Sequence, residues 1–234
     1  MKKTLSLRLP AAAAVLLLAV GCARPHDYGK YLENMPRSVL VLPAVNESSD
    51  VTATDSYMHT CVVPLAHQGY YVFPPALVDK LMKAQGVTTA NEMHEVSAKK
   101  LHEVFGCDAV LYVRIKDWET KYLAIASQTV VTLEYRLVHA ASGQALWNGS
   151  ARAVDSSGGS GSLIADAVGA AVHKALAETV DNRPALAAQA NGMICADQRS
   201  GLLLGPLHPN YAQERERRLA DQKQLEEMNA KDRG

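Results

Sequence analysis

Apolar positions follow two rhythms along this chain, and each change of rhythm marks a new element. Ser38-Val39-Leu40-Val41-Leu42-Pro43 is a continuous apolar run closed by proline, which predicts a central strand buried on both faces. Ser56 to His67 has Met58, Cys61, Val62 and Leu65 on one side and Gly69 after it, the pattern of a helix and its stop. Tyr70-Tyr71-Val72-Phe73 predicts a second strand, ended by Pro74-Pro75. Ala76 to Lys83 and Asn91 to Val104 predict helices closed by Gly86 and Gly106, and Asp108 to Ile115 predicts a third strand.

The rhythm then becomes strictly two. In Thr129 to Val138, Val131, Leu133, Tyr135 and Leu137 alternate with Thr132, Glu134 and Arg136, as a half-buried antiparallel strand requires. Ala141-Ser142-Gly143-Gln144 is a turn, and Ala145 to Val154 returns to form a hairpin. Ser156 to Ser162 is rich in glycine and serine and reads as a loop. Leu163 to Val180 predicts the clearest helix, with Ile164, Val168, Val172 and Leu176 in one apolar row. Asp181 to Asn191 reads as a linker or loose helix, and the charge-rich end from Tyr211 as a solvated, fraying helix with a Glu214–Arg218 pair. The order β-α-β-α-α-β-β-β-α predicts an α/β fold, a single mixed sheet with helices packed on it and a charged C-terminal helical tail.

The N-terminus adds a different signal. Lys2, Lys3 and Arg8 precede the apolar stretch Ala11 to Val20, which suits a secretory signal and is too short to span a bilayer. Leu18-Ala19-Val20-Gly21-Cys22 resembles the lipobox of bacterial lipoproteins, which implies acylation of Cys22 and cleavage before it. The expected organisation is a lipoprotein signal peptide over 1–21, a lipid-attached tether over 22–37, an α/β domain over 38–210 and the tail over 211–234. Ala23, where the bacterial sorting rule would place Asp for inner-membrane retention, implies the outer membrane, with the protein facing the periplasm.

Composition narrows the function. The chain has 24 basic and 24 acidic residues, and Lys2, Lys3 and Arg8 leave with the signal. No basic surplus remains to attract nucleic acid. Beyond Cys22 the cysteines are Cys61, Cys107 and Cys195, an odd number in a disulfide-permissive compartment. Cys107 precedes the apolar run Ala109 to Val113 and reads as a core residue, which leaves Cys61–Cys195 as the expected disulfide.

No catalytic or metal-binding constellation has the required spacing, and no cofactor is implied. Gly158-Gly-Ser-Gly-Ser162 lacks the order of a nucleophile elbow and no lysine follows at phosphate-loop spacing. His94 and His102 are two helical turns apart, too far for one metal. Tyr70, Tyr71, Trp118 and Trp147 lie on or beside expected strands, where amphipathic rings offer a protein-binding face or fill a half-buried sheet.

Several segments together carry a resemblance: Val39-Leu-Val-Leu-Pro-Ala-Val-Asn46, Pro64-Leu65 with Gly69-Tyr-Tyr-Val-Phe-Pro74, Phe105-Gly106 with Asp108-Ala-Val-Leu-Tyr112, Trp118, Gly143 with Leu146-Trp147, and Gly201-Leu-Leu-Leu-Gly-Pro206 with His208-Pro209. In this order they resemble the bacterial lipoprotein family named after a genome-derived neisserial antigen, from about residue 22 to 211. The resemblance implies a fold similar to the N-terminal domain of TolB and no established activity. It implies an accessory role in secretion or envelope assembly; with no catalytic constellation at the required spacing, the expectation is a non-catalytic interaction module, not an enzyme. The expected partners are the membrane, through the lipid, and an envelope protein such as a lipoprotein similar to the curli channel; a homodimer stays open. A periplasmic hydrolase or ligand-binding lipoprotein is the alternative, marked by a polar pocket with converging titratable groups.

Overall fold

Six strands form one mixed sheet with helices on both faces in the computed structural model, which describes residues 26–122, 127–156 and 181–231. The strands are β1 (Ser38–Val41), β2 (Val45–Asn46), β3 (Tyr71–Val72), β4 (Ala109–Tyr122), β5 (Ser127–His139) and β6 (Ala145–Ser156). They are ordered β3-β1-β4-β5-β6, with β2 also paired to β4. The β1, β2 and β3 pairings are parallel, while β4, β5 and β6 form an antiparallel meander. The helices are α1 (Gly29–Glu33), α2 (Ala53–Met58), α3 (Val62–His67), α4 (Pro75–Ala84), α5 (Ala90–Glu95), α6 (Ala98–Phe105), α7 (Arg183–Ala196) and α8 (Tyr211–Lys231).

β1 is central, as its apolar run predicts: Val39 and Val41 enter the core on one face, Leu40 and Leu42 the core on the other. On the first face, Val131, Leu133, Tyr135 and Leu137 of β5 meet Leu186, Ala187, Ala190 and Ile194 of α7. On the second face, Val78 and Met82 of α4, Met93 of α5 and Leu101 of α6 cover Leu40, Val110 and Tyr112.

Two expected helices are each divided. The Ser56–His67 segment breaks between α2 and α3, where Thr60 donates its hydroxyl to the Tyr57 carbonyl at 2.7 Å. Pro64 has no amide hydrogen for the Thr60 carbonyl, so it is accommodated only in the first turn of a new helix. The Asn91–Val104 segment divides at Ser97, whose hydroxyl accepts from the Lys100 amide at 3.2 Å and caps α6. Thr89 and Glu92 close a capping box on α5. Gly106, at φ 69°, ends α6 as expected.

The segment expected to be a linker or loose helix extends to Ala196 as α7 and belongs to the core. The expected tether and tail differ as well. Tyr28, Tyr31 and Leu32, on and beside α1, are core residues. α8 buries Arg218 and Leu225. Arg218 lies 4.9 Å over the Tyr28 ring, and Gln222 accepts from the Tyr28 amide at 3.1 Å and donates to Asp27 at 3.0 Å. Among the described residues no helix is long and apolar enough to cross a membrane. Cys22, the glycine-rich loop and the expected Leu163–Val180 helix lie outside the described residues.

The Gly201–Pro206 segment runs beneath α8 and fastens to the end of α3. Gln68 donates to the Leu202 carbonyl at 2.7 Å, Gly205 donates to the Gln68 carbonyl at 2.7 Å, and Glu214 accepts from the Leu204 amide at 2.9 Å. Gly69 has φ 87°, and a Cβ there would meet the His208 backbone; one at Gly205 would meet the Gly69 carbonyl. Both glycines are required by this close backbone contact.

Candidate interaction groove

The period-two alternation of β5 points Glu134 and Arg136 away from the α7 core, onto the second face. Register places Arg114 and Tyr112 of β4 beside them on one side and Ser150 and Asn148 of β6 on the other. The covering helices reach only part of this face. An open groove of about 890 Å³ remains, running from Asn91 and His94 of α5 across the three strands to Ser200.

Part of its charge is internally satisfied. Arg114 pairs with Glu47 at 2.8 Å, and Lys116 pairs with the other oxygen of the same carboxylate. The Lys116 hydrogen bond, followed by the Coulombic pull of Lys116 and Arg114, holds Glu47 below the usual carboxylate range despite slight desolvation. The Arg136 guanidinium stacks 4.9 Å over the Tyr112 ring, and His94 meets that ring edge-on at 5.2 Å. His94 Nε2 lies 2.9 Å from the Pro43 carbonyl, so that nitrogen carries the hydrogen. Burial pushes the His94 pKa down to about 4, with Arg114 and Arg136 adding to the shift against the carbonyl's opposing effect. A neutral imidazole spent on a backbone carbonyl is a poor general base. By contrast the side chains of Asn91, Asn148 and Ser150 have no hydrogen-bond partner among the described residues, and Glu134 acts on Lys116 only through its Coulombic field. The groove can offer an extended chain a cation, a carboxylate, an amide and a hydroxyl in a row.

The aromatic residues expected to form a binding face go elsewhere. Tyr70, Trp118 and Trp147 are 3%, 0% and 2% exposed and belong to the first-face core, so the sheet-packing alternative holds for them. Tyr70 donates to the Leu203 carbonyl at 2.5 Å and shares a 2.7 Å hydrogen bond with Tyr31, and Trp147 donates to the Ser200 carbonyl at 2.7 Å. The polar tips of Tyr70 and Trp147 are consumed inside the fold, while Trp118 Nε1 is buried with no hydrogen-bond partner among the described residues. Tyr71, 53% exposed, is the one of the four available to a partner, and it stacks edge-on with Phe73 at the β3 border of the sheet.

The cysteines also differ from expectation. Cys107 is buried as the core residue anticipated, but no bond joins Cys61 to Cys195; all three are free thiols. The Cys61 thiol points to the Met58 carbonyl at 3.5 Å and the Cys195 thiol to the Pro64 carbonyl at 3.8 Å. Pro64 is one helical turn beyond Cys61, so α3 and α7 are neighbours, yet each thiol is turned to a backbone oxygen. Burial pushes both up to about 12, far from the thiolate that disulfide exchange uses. Nearby, Asn191 of α7 accepts from the Tyr135 hydroxyl at 2.9 Å and from Tyr57 at 3.4 Å, and donates to Thr60 at 3.2 Å. Sequence reading missed this buried polar knot, because the partners come from three separate elements.

Among the described residues no three His, Cys, Asp or Glu side chains are placed to hold a metal. Sequence reading also missed the groove as a site, although the signal was present: Glu134 and Arg136 are the polar phase of an alternation whose apolar phase was recognised.

A family model described as "Putative lipoprotein GNA1162-like" matches residues 26–207. The chain is 36% identical over 206 residues to the "Putative lipoprotein NMB1124/NMB1162" of Neisseria meningitidis serogroup B, covering 87% of this chain and 96% of that protein. It is also similar to the crystal structure of lipoprotein GNA1162 from Neisseria meningitidis, with 40% identity and a TM-score of 0.51, covering 61% of this chain and 99% of the other. The match to the family ends before α8 begins.

Proposed function

Because this chain belongs to the GNA1162-like lipoprotein family, we propose that it is an outer-membrane lipoprotein held through acyl chains on Cys22, facing the periplasm and acting as a non-catalytic interaction module. Its role is accessory to a secretion or envelope-assembly complex, with an envelope protein, such as a lipoprotein similar to the curli channel, as partner. The lipobox-like run ending at Cys22 supports the anchor. One acyl chain gives only marginal attachment, and stable anchoring takes a second, so diacylation of Cys22 would be sufficient to retain the protein.

The observation that carries the interaction reading is the second-face groove. Glu134, Asn148 and Ser150 are held in register by the two longest strand pairings of the fold, yet their side chains make no hydrogen bond among the described residues, and Glu134 meets Lys116 only through its Coulombic field. Rigid strands presenting a row of unspent hydrogen-bonding groups suit recognition of an extended segment. The titratable groups beside them are committed to each other or to backbone, which supports binding over turnover.

Two measurements test this. Metabolic labelling with a fatty-acid analogue should mark the protein and not the Cys22→Ser variant; label persisting on that variant removes the anchor site. A photo-crosslinking residue at Ser150 should capture an envelope protein in intact cells, and the same residue at Val63 on exposed α3 should not. Equal capture from both positions removes the groove as the binding surface.

A further inference from the structure

The sequence presents residues 22–37 as a free tether, and the fold turns most of it into structure. Tyr28 is 3% exposed and donates its hydroxyl to the Gly201 carbonyl at 2.7 Å, and Tyr31 is fully buried. α8 closes over this segment: Arg218 covers the Tyr28 ring, while Gln222 holds the Tyr28 amide and the Asp27 carboxylate. The chain is thus fixed from Asp27 onward.

The consequence is a matter of lengths. Fully extended at ~3.5 Å per residue, the chain from Cys22 to Asp27 reaches at most about 17 Å, whereas a tether free to Ser38 would reach about 55 Å. A folded chain of this size has a radius of gyration of roughly 17 Å, hence a diameter of roughly 40 Å. The longer tether would let any face of the domain meet the bilayer. The shorter one cannot carry the far side there.

We infer that docking of the segment around Tyr28 beneath α8 orients the protein on the membrane, so that the α1–α8 side is the surface held against the lipid. This rests on Cys22 being the lipid-bearing residue. α1 packs on the first face of the sheet and α5 and α6 on the second. The α5–α6 layer therefore points away from the bilayer. The groove runs outward, from its Ser200 end, adjacent to the Gly201 carbonyl that holds Tyr28, to its distal Asn91 end. An envelope partner would enter it from the periplasmic side. Charge does not supply the orientation, since α8 carries as many acidic as basic residues. The orientation should accordingly be insensitive to salt, unlike that of a basic patch on anionic lipid.

Energy transfer to the membrane surface tests this on the full lipidated protein in vesicles carrying a headgroup-labelled acceptor. In a Cys195→Ser background, with Cys61 and Cys107 buried, a thiol-reactive donor is placed on Lys223→Cys of α8 or Lys99→Cys of α6, both exposed positions. Transfer should be higher from position 223, by roughly twofold or more for a separation approaching the domain's width. Inserting about 15 glycine and serine residues between Pro25 and His26 lengthens the tether without touching the docked segment and should erase most of the difference. Equal transfer from the two positions, or a difference that survives the insertion, overturns the proposal. Flotation separates this from the anchor itself: a Cys22→Ser protein that still floats with vesicles refutes the lipid tether, while equal transfer in a protein whose flotation depends on Cys22 refutes the orientation alone.

Discussion

The two faces of the sheet are made by the same three strands and have opposite fates. On the first face Val131, Leu133, Tyr135 and Leu137 are covered by α7, and the aromatic tips of Tyr70, Tyr135 and Trp147 end on internal acceptors. On the second face Arg114, Glu134, Arg136 and Ser150 alternate with those residues along the backbone and face an open groove. The same alternation thus builds a covered surface, whose tyrosine and Trp147 tips are spent internally, and a partly open one. On the proposed function, the first face serves stability above all and the groove on the second serves binding.

The contrast should be clearest in deletion of core volume. Trp118→Ala removes a side chain with no exposure and should cost about 3–5 kcal/mol. That corresponds to a melting point lower by roughly 6–20 °C for a domain of this size. A loss of a degree or two would mean that the first face is not the stabilising one.

The buried polar knot tests whether the first face depends on pairing as well as volume. Asn191→Ala strands the hydroxyls of Tyr57 and Tyr135 and removes the hydrogen bond that Thr60 accepts, for about 1–3 kcal/mol in denaturant unfolding. An unchanged midpoint would show that the knot's hydroxyls are satisfied without Asn191.

The second face has its own signature in pH. His94 is held neutral, with a pKa of about 4 against the ordinary 6.5 of a free imidazole, so the unfolded chain binds more protons between those values. Its contribution is fully present above about 6.5 and is lost as pH falls through about 4. His94→Gln should flatten the melting-point profile across that window; a smaller slope remains, because burial also depresses His26. A profile as steep as the parent's would exclude His94 as its source.

The smallest expected effect sharpens the comparison most. Arg136→Ala should change stability by no more than about 0.5 kcal/mol, as exposed positions usually do, while reducing partner capture from Ser150. A large stability loss would place Arg136 with the core and not with the binding surface.

Local order was legible in the sequence where the cause is local. The central strand, the alternation of β5, the hairpin and the Gly106 stop follow from side-chain period and backbone freedom. The breaks inside the two expected helices were written there too, in Thr60 with Pro64 and in Ser97, but a continuing apolar stripe concealed them. α7 gave a weak signal because Ala187, Ala190 and Asn191 make its buried face small and partly polar, which suits close approach to a sheet but does not stand out as amphipathic. The sequence by itself determined five of the sheet's six strands, its alternating faces and the family, while the short β2 was not legible. Only the tertiary structure decided which face closes, that the Cys61 and Cys195 thiols turn to separate backbone oxygens, and that the supposed tether and tail clasp each other. Those outcomes depend on pairs such as Tyr28 with Gln222 and Gln68 with Leu202, far apart along the chain. No local period encodes such a contact, because its free energy exists only once both partners are held in place.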